Sequence, residues 1–169
     1  MPSTTPRALV IGGSLGGLFA ANLLHRQGWR VDVFEHSGEE LAGRGAGIIT
    51  HPGLFQALER IGITIDDSFG VQIPGRVVFD REGAEVATLR LPQNLTTWGR
   101  LYILLREALP ADCYHLGYSF QRVEQNAAGV TAYFANGQCA HGVIANFIVR
   151  VETGVYQSSN LFFRLSGIA

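Results

Sequence analysis

Residues 10–24 read VIGGSLGGLFAANLL, and the reading of this stretch decides the fold. Just before the glycines, Ala8 to Ile11 is an unbroken apolar run. Continuous rather than alternating apolar residues predict a parallel strand covered on both faces. From about Gly16 the spacing turns helical through Leu18, Phe19, Ala20, Ala21, Leu23 and Leu24. His25 and Arg26 then complement the negative end of that helix, and Gly28 suits the left-handed position beyond it. A second strand, Arg30 to Glu35, follows. Residues 7–35 therefore predict one β-α-β unit of about 30 residues.

A strand that turns sharply into a helix leaves the first helical N–H groups unpaired at the positive end of the helix dipole. A pyrophosphate is their natural partner. Gly12, for the tight turn, and Gly17, for close helix-to-strand packing, stand at the first and third positions of the G-x-G-x-x-G dinucleotide fingerprint. The second position is Ser14, which carries a Cβ where a phosphate needs room but adds a hydroxyl able to donate to it. Gly13 and Gly16 widen the space around it. Glu35 ends the second strand close to the ~20-residue distance expected of an acid that binds ribose hydroxyls. Such an acid accepts from a free 2′-hydroxyl and repels a 2′-phosphate, which favours FAD or NAD over NADP. Taken alone, Glu35 also reads as a solvated strand-end carboxylate; the loop before it gives it meaning.

The chain has 169 residues, enough for one domain or one domain and part of another. With 47% hydrophobic and 16% charged residues the composition is globular. A formal net charge of −1 and no Lys/Arg run leave no footprint for nucleic acid or an anionic membrane. Cys113 and Cys139 form neither C-x-x-C nor a metal spacing, and read as idle thiols in a reducing cytosol. The N-terminal MPSTTPR has no signal-peptide pattern, and no span of about 20 apolar residues follows. A cytoplasmic protein is expected.

Beyond Glu35 the chain departs from a repeated β-α-β pattern. SGEELAGRGAG reads as a Gly-rich loop, GIIT as a short extended piece, and Pro52 as a helix start. Leu54, Phe55, Leu58 and Ile61 share one face of that helix, which Gly62 ends. Two β-rich runs flank DREGAE between about 70 and 92, a hairpin signal. Gly99 to Leu109 reads as a helix closed by Pro110, and two further strands are joined by QNAAG. The fold class is α/β: a Rossmann-like core with a β-α-β start and inserted antiparallel strands.

The segment GRGAGIITHPGLFQALERIGI, residues 43–63, resembles the one following the ribose-binding acid in the FAD-dependent aromatic hydroxylases, the para-hydroxybenzoate hydroxylase superfamily. The family pattern is an Arg/Gly loop, G-x-G-I, then a helix ending in L-x-x-x-G. Arg44, Gly45, Gly47, Ile48, Leu58 and Gly62 match it. The GGSLGG start and the GAGI…P run look most like the 2,6-dihydroxypyridine 3-hydroxylase branch. The resemblance covers about residues 7–140. It implies that Gly12, Ser14 and Gly17, with Gly13 and Gly16, hold the FAD pyrophosphate. It places Glu35 on the adenosine ribose and Arg44 near the pyrophosphate. Where the family often has a cofactor-contacting arginine this chain has Trp98, with Arg100 two residues on; either can stack on or pair with FAD, and core packing is the alternative for Trp98. His51 lies beside the same loop and reads as structural. The implied reaction hydroxylates a small aromatic or hydroxypyridine ring using O2, with NADH or NADPH as reductant, and asks of the protein chiefly orientation and a dry pocket.

The resemblance stops short of the family's A-D-G and G-D motifs, and full-length members are expected to be more than twice as long. From about Val143 the sequence ceases to follow the pattern, although VIANFIV can still form a strand. The expected organisation is a partial FAD-binding domain with the first substrate-domain strands over 1–142. An atypical tail, from a truncated or frame-shifted member, is expected over 143–169. Two alternatives stand beside it: a NAD-dependent Rossmann oxidoreductase, disfavoured by the antiparallel runs, and a non-catalytic nucleotide-binding module.

Overall fold

The computed structural model describes residues 5–43, 45, 47–127, 129–142 and 148–150. In chain order the elements begin with β1 (Arg7–Ile11), α1 (Leu15–Arg26), β2 (Arg30–Phe34), β3 (Gly47–Ile49) and α2 (Pro52–Ile61). A 3-10 turn at Asp67–Phe69 leads into β4 (Val71–Phe79), β5 (Glu85–Thr97) and α3 (Trp98–Glu107). A second 3-10 turn, Ala111–Cys113, precedes β6 (Tyr114–His115), β7 (Phe120–Asn126), β8 (Gly129–Phe134), β9 (Cys139–Gly142) and β10 (Ile148–Arg150). Among the described residues no helix is long and apolar enough to cross a membrane.

The central sheet runs β10-β1-β2-β6, every pair parallel. The chain first builds outward from β1 to β2 to β6, then returns to place β10 on the other side of β1. That reversal makes the carboxyl end of β1 the switch point at which open α/β sheets bind ligands. Only the last two residues of VIANFIV are described, and they begin β10, with Ile148 opposite Leu9; residues 143–147 lie outside the described residues.

The apolar run of β1 is buried on both faces, and alternate residues enter different cores. Ala8 and Val10 pack with Val31 and Val33 against Leu18 and Ala21 of α1, Leu58 of α2 and Leu101 and Leu105 of α3. Leu9, Ile11 and Phe34 pack on the opposite face against Val130, Ala132, Phe134 and Ala140. The latter four come from the antiparallel meander β7-β8-β9. The molecule is thus layered helices, parallel sheet, meander. Each fully buried Val or Leu in this sandwich contributes on the order of 1.5–3 kcal/mol. Asn22, buried within α1, spends its amide on the carbonyls of Leu18 and Leu105 (2.9 and 2.8 Å), tying α1 to α3.

The remaining strands form a sheet of order β3-β5-β4 inserted between β2 and β6. Its hairpin is the one expected around DREGAE, but β5 runs on to Thr97 rather than ending near 92. The extension survives Pro92 because the register breaks there. Ile73 faces Gln93 and Gly75 faces Arg90, leaving Pro74 opposite Leu91 and Pro92. A bulge of this kind is where a strand tolerates residues that cannot donate to the ladder. Past the bulge, Leu95, Thr96 and Thr97 pair with Ile49, Ile48 and Gly47. α1 begins at Leu15, one residue before the expected start, because Ser14 takes the N-cap position.

Candidate functional site

The site is built where β1 ends. Gly12 has a φ of 100°, the left-handed region, and its N–H donates to the Phe34 carbonyl at 2.9 Å. The chain thereby turns out of β1 while still tied to β2. A Cβ on Gly17 would lie 1.9 Å from the Gly12 carbonyl oxygen, so only glycine allows α1 to start this close to the strand. Ser14 is the N-cap in extended conformation, and its side chain makes no capping hydrogen bond. The hydroxyl is therefore not spent on the helix, and the first turn of α1 contains no acidic side chain to occupy its N–H groups. Gly16 is exposed on that turn.

Glu35 reaches this loop directly. One carboxylate oxygen accepts from the Gly13 N–H at 2.7 Å and the other from the Ser37 N–H at 2.9 Å. Its own N–H donates to the His115 carbonyl at 2.8 Å, which fixes the strand end. A carboxylate offers about four lone-pair sites and these two bonds use two, so acceptor capacity remains for hydroxyl donors. Gly12, Gly13, Ser14, Gly16, Gly17 and Glu35 are thus brought to one place.

Four further residues complete the surroundings, and none was singled out from the sequence. The Tyr114 hydroxyl, at the start of β6, donates to the Gly13 carbonyl at 3.0 Å. The Tyr102 hydroxyl of α3 lies 3.2 Å from it, accepts from the Leu41 N–H at 3.4 Å and bonds to the Glu40 carboxylate. Arg106 places its guanidinium 4.5 Å from the Tyr114 ring centroid, and its Nε lies 3.4 Å from the other Glu40 oxygen. That last contact is an ion pair without hydrogen-bond geometry. Burial first, then the bond from Tyr102, push the Tyr114 phenol far above its ordinary pKa. Burial and the Glu40 carboxylate likewise raise Tyr102. Both phenols stay protonated and act as donors at neutral pH. Tyr102 sits beside Leu101 and three residues before Leu105, so by periodicity it reads as helix core; only the tertiary fold turns its hydroxyl toward Tyr114.

Trp98 stacks on Tyr102 with ring centroids 5.1 Å apart and planes 11° off parallel. It also abuts Gly45, whose added Cβ would lie 2.4 Å from the Trp98 Cβ. Trp98 is therefore connected to the fingerprint loop through Tyr102 and Tyr114. Arg100 is not: it is exposed, and its guanidinium donates to Ser68 Oγ at 2.6 Å. Arg44 lies outside the described residues, as do 143–147 and 151–169 of the expected tail. His51 caps α2, its Nδ1 accepting from the Leu54 N–H at 3.3 Å, which accounts for it structurally.

Known proteins share the fold and part of the sequence. A family model described as a NAD(P)-binding Rossmann-like domain matches residues 10–80. The 2,6-dihydroxypyridine 3-monooxygenase of Paenarthrobacter nicotinovorans is 30% identical over 157 residues, covering 91% of this chain and 38% of that protein. The solved structure of 2,6-dihydroxypyridine-3-hydroxylase from Arthrobacter nicotinovorans superposes with a TM-score of 0.74 at 31% identity, over 83% of this chain and 36% of that one. A point variant of Klebsiella pneumoniae HpxO complexed with FAD superposes with a TM-score of 0.69 at 27% identity, over 82% of this chain and 38% of that one. The chain spans little more than a third of the length of the relatives it matches. Sequence and fold agree on what the chain resembles: its homologues are FAD-dependent monooxygenases, of which it covers only a part.

Proposed function

We propose that this chain is the FAD-binding part of a flavin-dependent monooxygenase that hydroxylates an aromatic or hydroxypyridine ring with NAD(P)H and O2. The observation that carries the reading is the bond between Glu35 and the Gly13 N–H, which unites a ribose-reading acid and a phosphate-binding turn in one contact. The residues fit the adenosine diphosphate half of FAD. The unspent Ser14 hydroxyl and the N–H groups opening α1 suit the pyrophosphate, and the spare acceptor sites of Glu35 suit the ribose hydroxyls. Arg44 is assigned to the pyrophosphate. Of the pair at the head of α3, Trp98 is assigned a wall of the cofactor site because it stacks on Tyr102, whereas Arg100 is engaged by Ser68. When bound, the flavin supplies electron acceptance from a nicotinamide and the activation of O2. The chain's own part is to bind, to orient and to keep the diphosphate end fixed. A hydroxypyridine is the favoured substrate class because the relative matched over 91% of this chain is a 2,6-dihydroxypyridine 3-monooxygenase. We place the protein in the cytoplasm, where its two free thiols persist unpaired.

The adenosine diphosphate group is common to NAD, and the match to a NAD(P)-binding Rossmann-like domain makes NAD binding a second reading. The test mixes the purified chain with excess FAD, removes free ligand by gel filtration and records the visible spectrum. A retained flavin band supports the proposal, and Glu35→Gln should then raise the Kd for FAD about tenfold, roughly 1.4 kcal/mol. A colourless protein that retains NADH supports the second reading. Retention of neither ligand overturns both.

A further inference from the structure

A trans peptide unit points its carbonyl and its N–H in opposite directions. In the loop after β1 the Gly13 carbonyl turns inward to the hydroxyl of buried Tyr114 at 3.0 Å. The Ser14 N–H of the same peptide must therefore turn away from Tyr114, outward from the core. The preceding peptide is pinned from its other side, with its N–H on Glu35 at 2.7 Å. Two successive peptides are thus each fixed by a side chain from elsewhere in the sheet, Glu35 just after β2 for one and Tyr114 of β6 for the other.

Tyr114 is itself held from several sides. Its hydroxyl sits so close to Gly13 that an added Cβ there would lie 2.1 Å from the oxygen. The Arg106 guanidinium covers its ring, and Tyr102, anchored by Glu40 and the Leu41 N–H, stands 3.2 Å from its oxygen. A side chain this confined fixes what it touches.

We propose that Tyr114 is a positioning residue of the cofactor loop. Its hydroxyl locks the Gly13–Ser14 peptide so that an N–H donor, not a carbonyl, faces an incoming diphosphate. What is bound rests on the FAD reading above; the orientation of the peptide does not. Without the hydroxyl, the Gly13 carbonyl has no inward donor, and a flipped peptide presents an oxygen to the phosphate. Ligand affinity then falls by the fraction of loop left in the competent state. If that fraction drops to between about a tenth and a fifth, the Kd rises about five- to tenfold.

Tyr114→Phe keeps the ring and its contact with Arg106 and removes the hydroxyl, with its bond to the Gly13 carbonyl and the one it accepts from Tyr102. Two measurements test it: amide hydrogen exchange over residues 12–17 in the cofactor-free chain, and the Kd for FAD, ADP and adenosine. The expected result is faster exchange, FAD and ADP weakened about five- to tenfold, and adenosine unchanged, since adenosine carries no diphosphate. Unchanged exchange with unchanged FAD affinity overturns the proposal. So does equal weakening of ADP and adenosine, which marks a general loss of structure. If the wild-type chain binds no FAD, the cofactor reading fails while the exchange rates still decide the positioning role. Should Tyr114→Phe not fold, Gly13→Ala displaces the same hydroxyl from the loop side, and the same split between ADP and adenosine is expected; its absence overturns the proposal.

Discussion

Asp32 carries a charge into the middle of a parallel strand whose neighbours Val31, Val33 and Phe34 are buried and apolar. Burial alone would raise its pKa. The hydrogen bonds from Arg7 Nε (2.7 Å) and His115 Nε2 (2.9 Å), with the charges behind them, more than offset that and hold it below the ordinary 3.8. Arg7 extends the link by donating to the His141 carbonyl at 2.8 Å, which joins the central sheet to the meander. A carboxylate with a depressed folded pKa stabilises the fold fully above its unfolded pKa and loses that contribution as pH falls through the folded value. Asp32→Asn is therefore expected to cost about 2–3 kcal/mol at neutral pH, the worth of charge-assisted bonds to a buried carboxylate. It should also flatten the fall in stability below pH 3.8. Denaturant titrations of both proteins from neutral to acidic pH check this; parallel curves would contradict it.

At the scale of elements, the helices were legible and their caps less so. Leu54, Leu58 and Ile61 recur at helical spacing, Pro52 opens α2, and Gly62 closes it with a φ of 86°, all as the sequence implies. The histidine at the helix start reads as structural from the sequence, but only the fold shows which structural part it plays. Its bond to the Leu54 N–H makes it a cap. His51→Ala should lower stability by about 0.5–1 kcal/mol, measured by thermal unfolding, and leave retention of FAD unchanged. A loss of FAD binding with intact stability would contradict this. The long β5 shows the opposite limit. Pro92 argues for ending the strand, and only the bulge opposite Pro74 lets it continue to Thr97 and pair with β3.

For the molecule as a whole, the contrast between layers and hairpin matters most. The central sheet is covered on both faces, yet residues 76–92 of the β4–β5 hairpin are all exposed. Val77 and Val78 point to opposite sides of the strand and both are open, at 46% and 53%, with Phe79, Val86 and Leu89 beside them. Apolar exposure on this scale, on strands with a free edge, favours association with other chains. The isolated chain is expected to self-associate with increasing concentration, and Val77→Thr with Val86→Thr to shift it toward monomer, as read by sedimentation velocity. A wild-type chain that stays monomeric throughout would contradict this.

The sequence by itself determined what depends on near neighbours along the chain. Periodicity, turn glycines and the order of apolar runs specified the β-α-β start, both later helices and the two hairpins, since each is set by forces acting over a few residues. The 43–63 segment pointed to the family for the same reason: it is one contiguous pattern. The tertiary structure alone decided what depends on contacts between distant residues. It brought Tyr114 onto the carbonyl of Gly13 and Glu35 onto its N–H, and it set Trp98 apart from Arg100 on one short helix. A hydrogen bond across a hundred residues leaves no periodic trace, because its geometry exists only after the sheet has placed β6 beside β2.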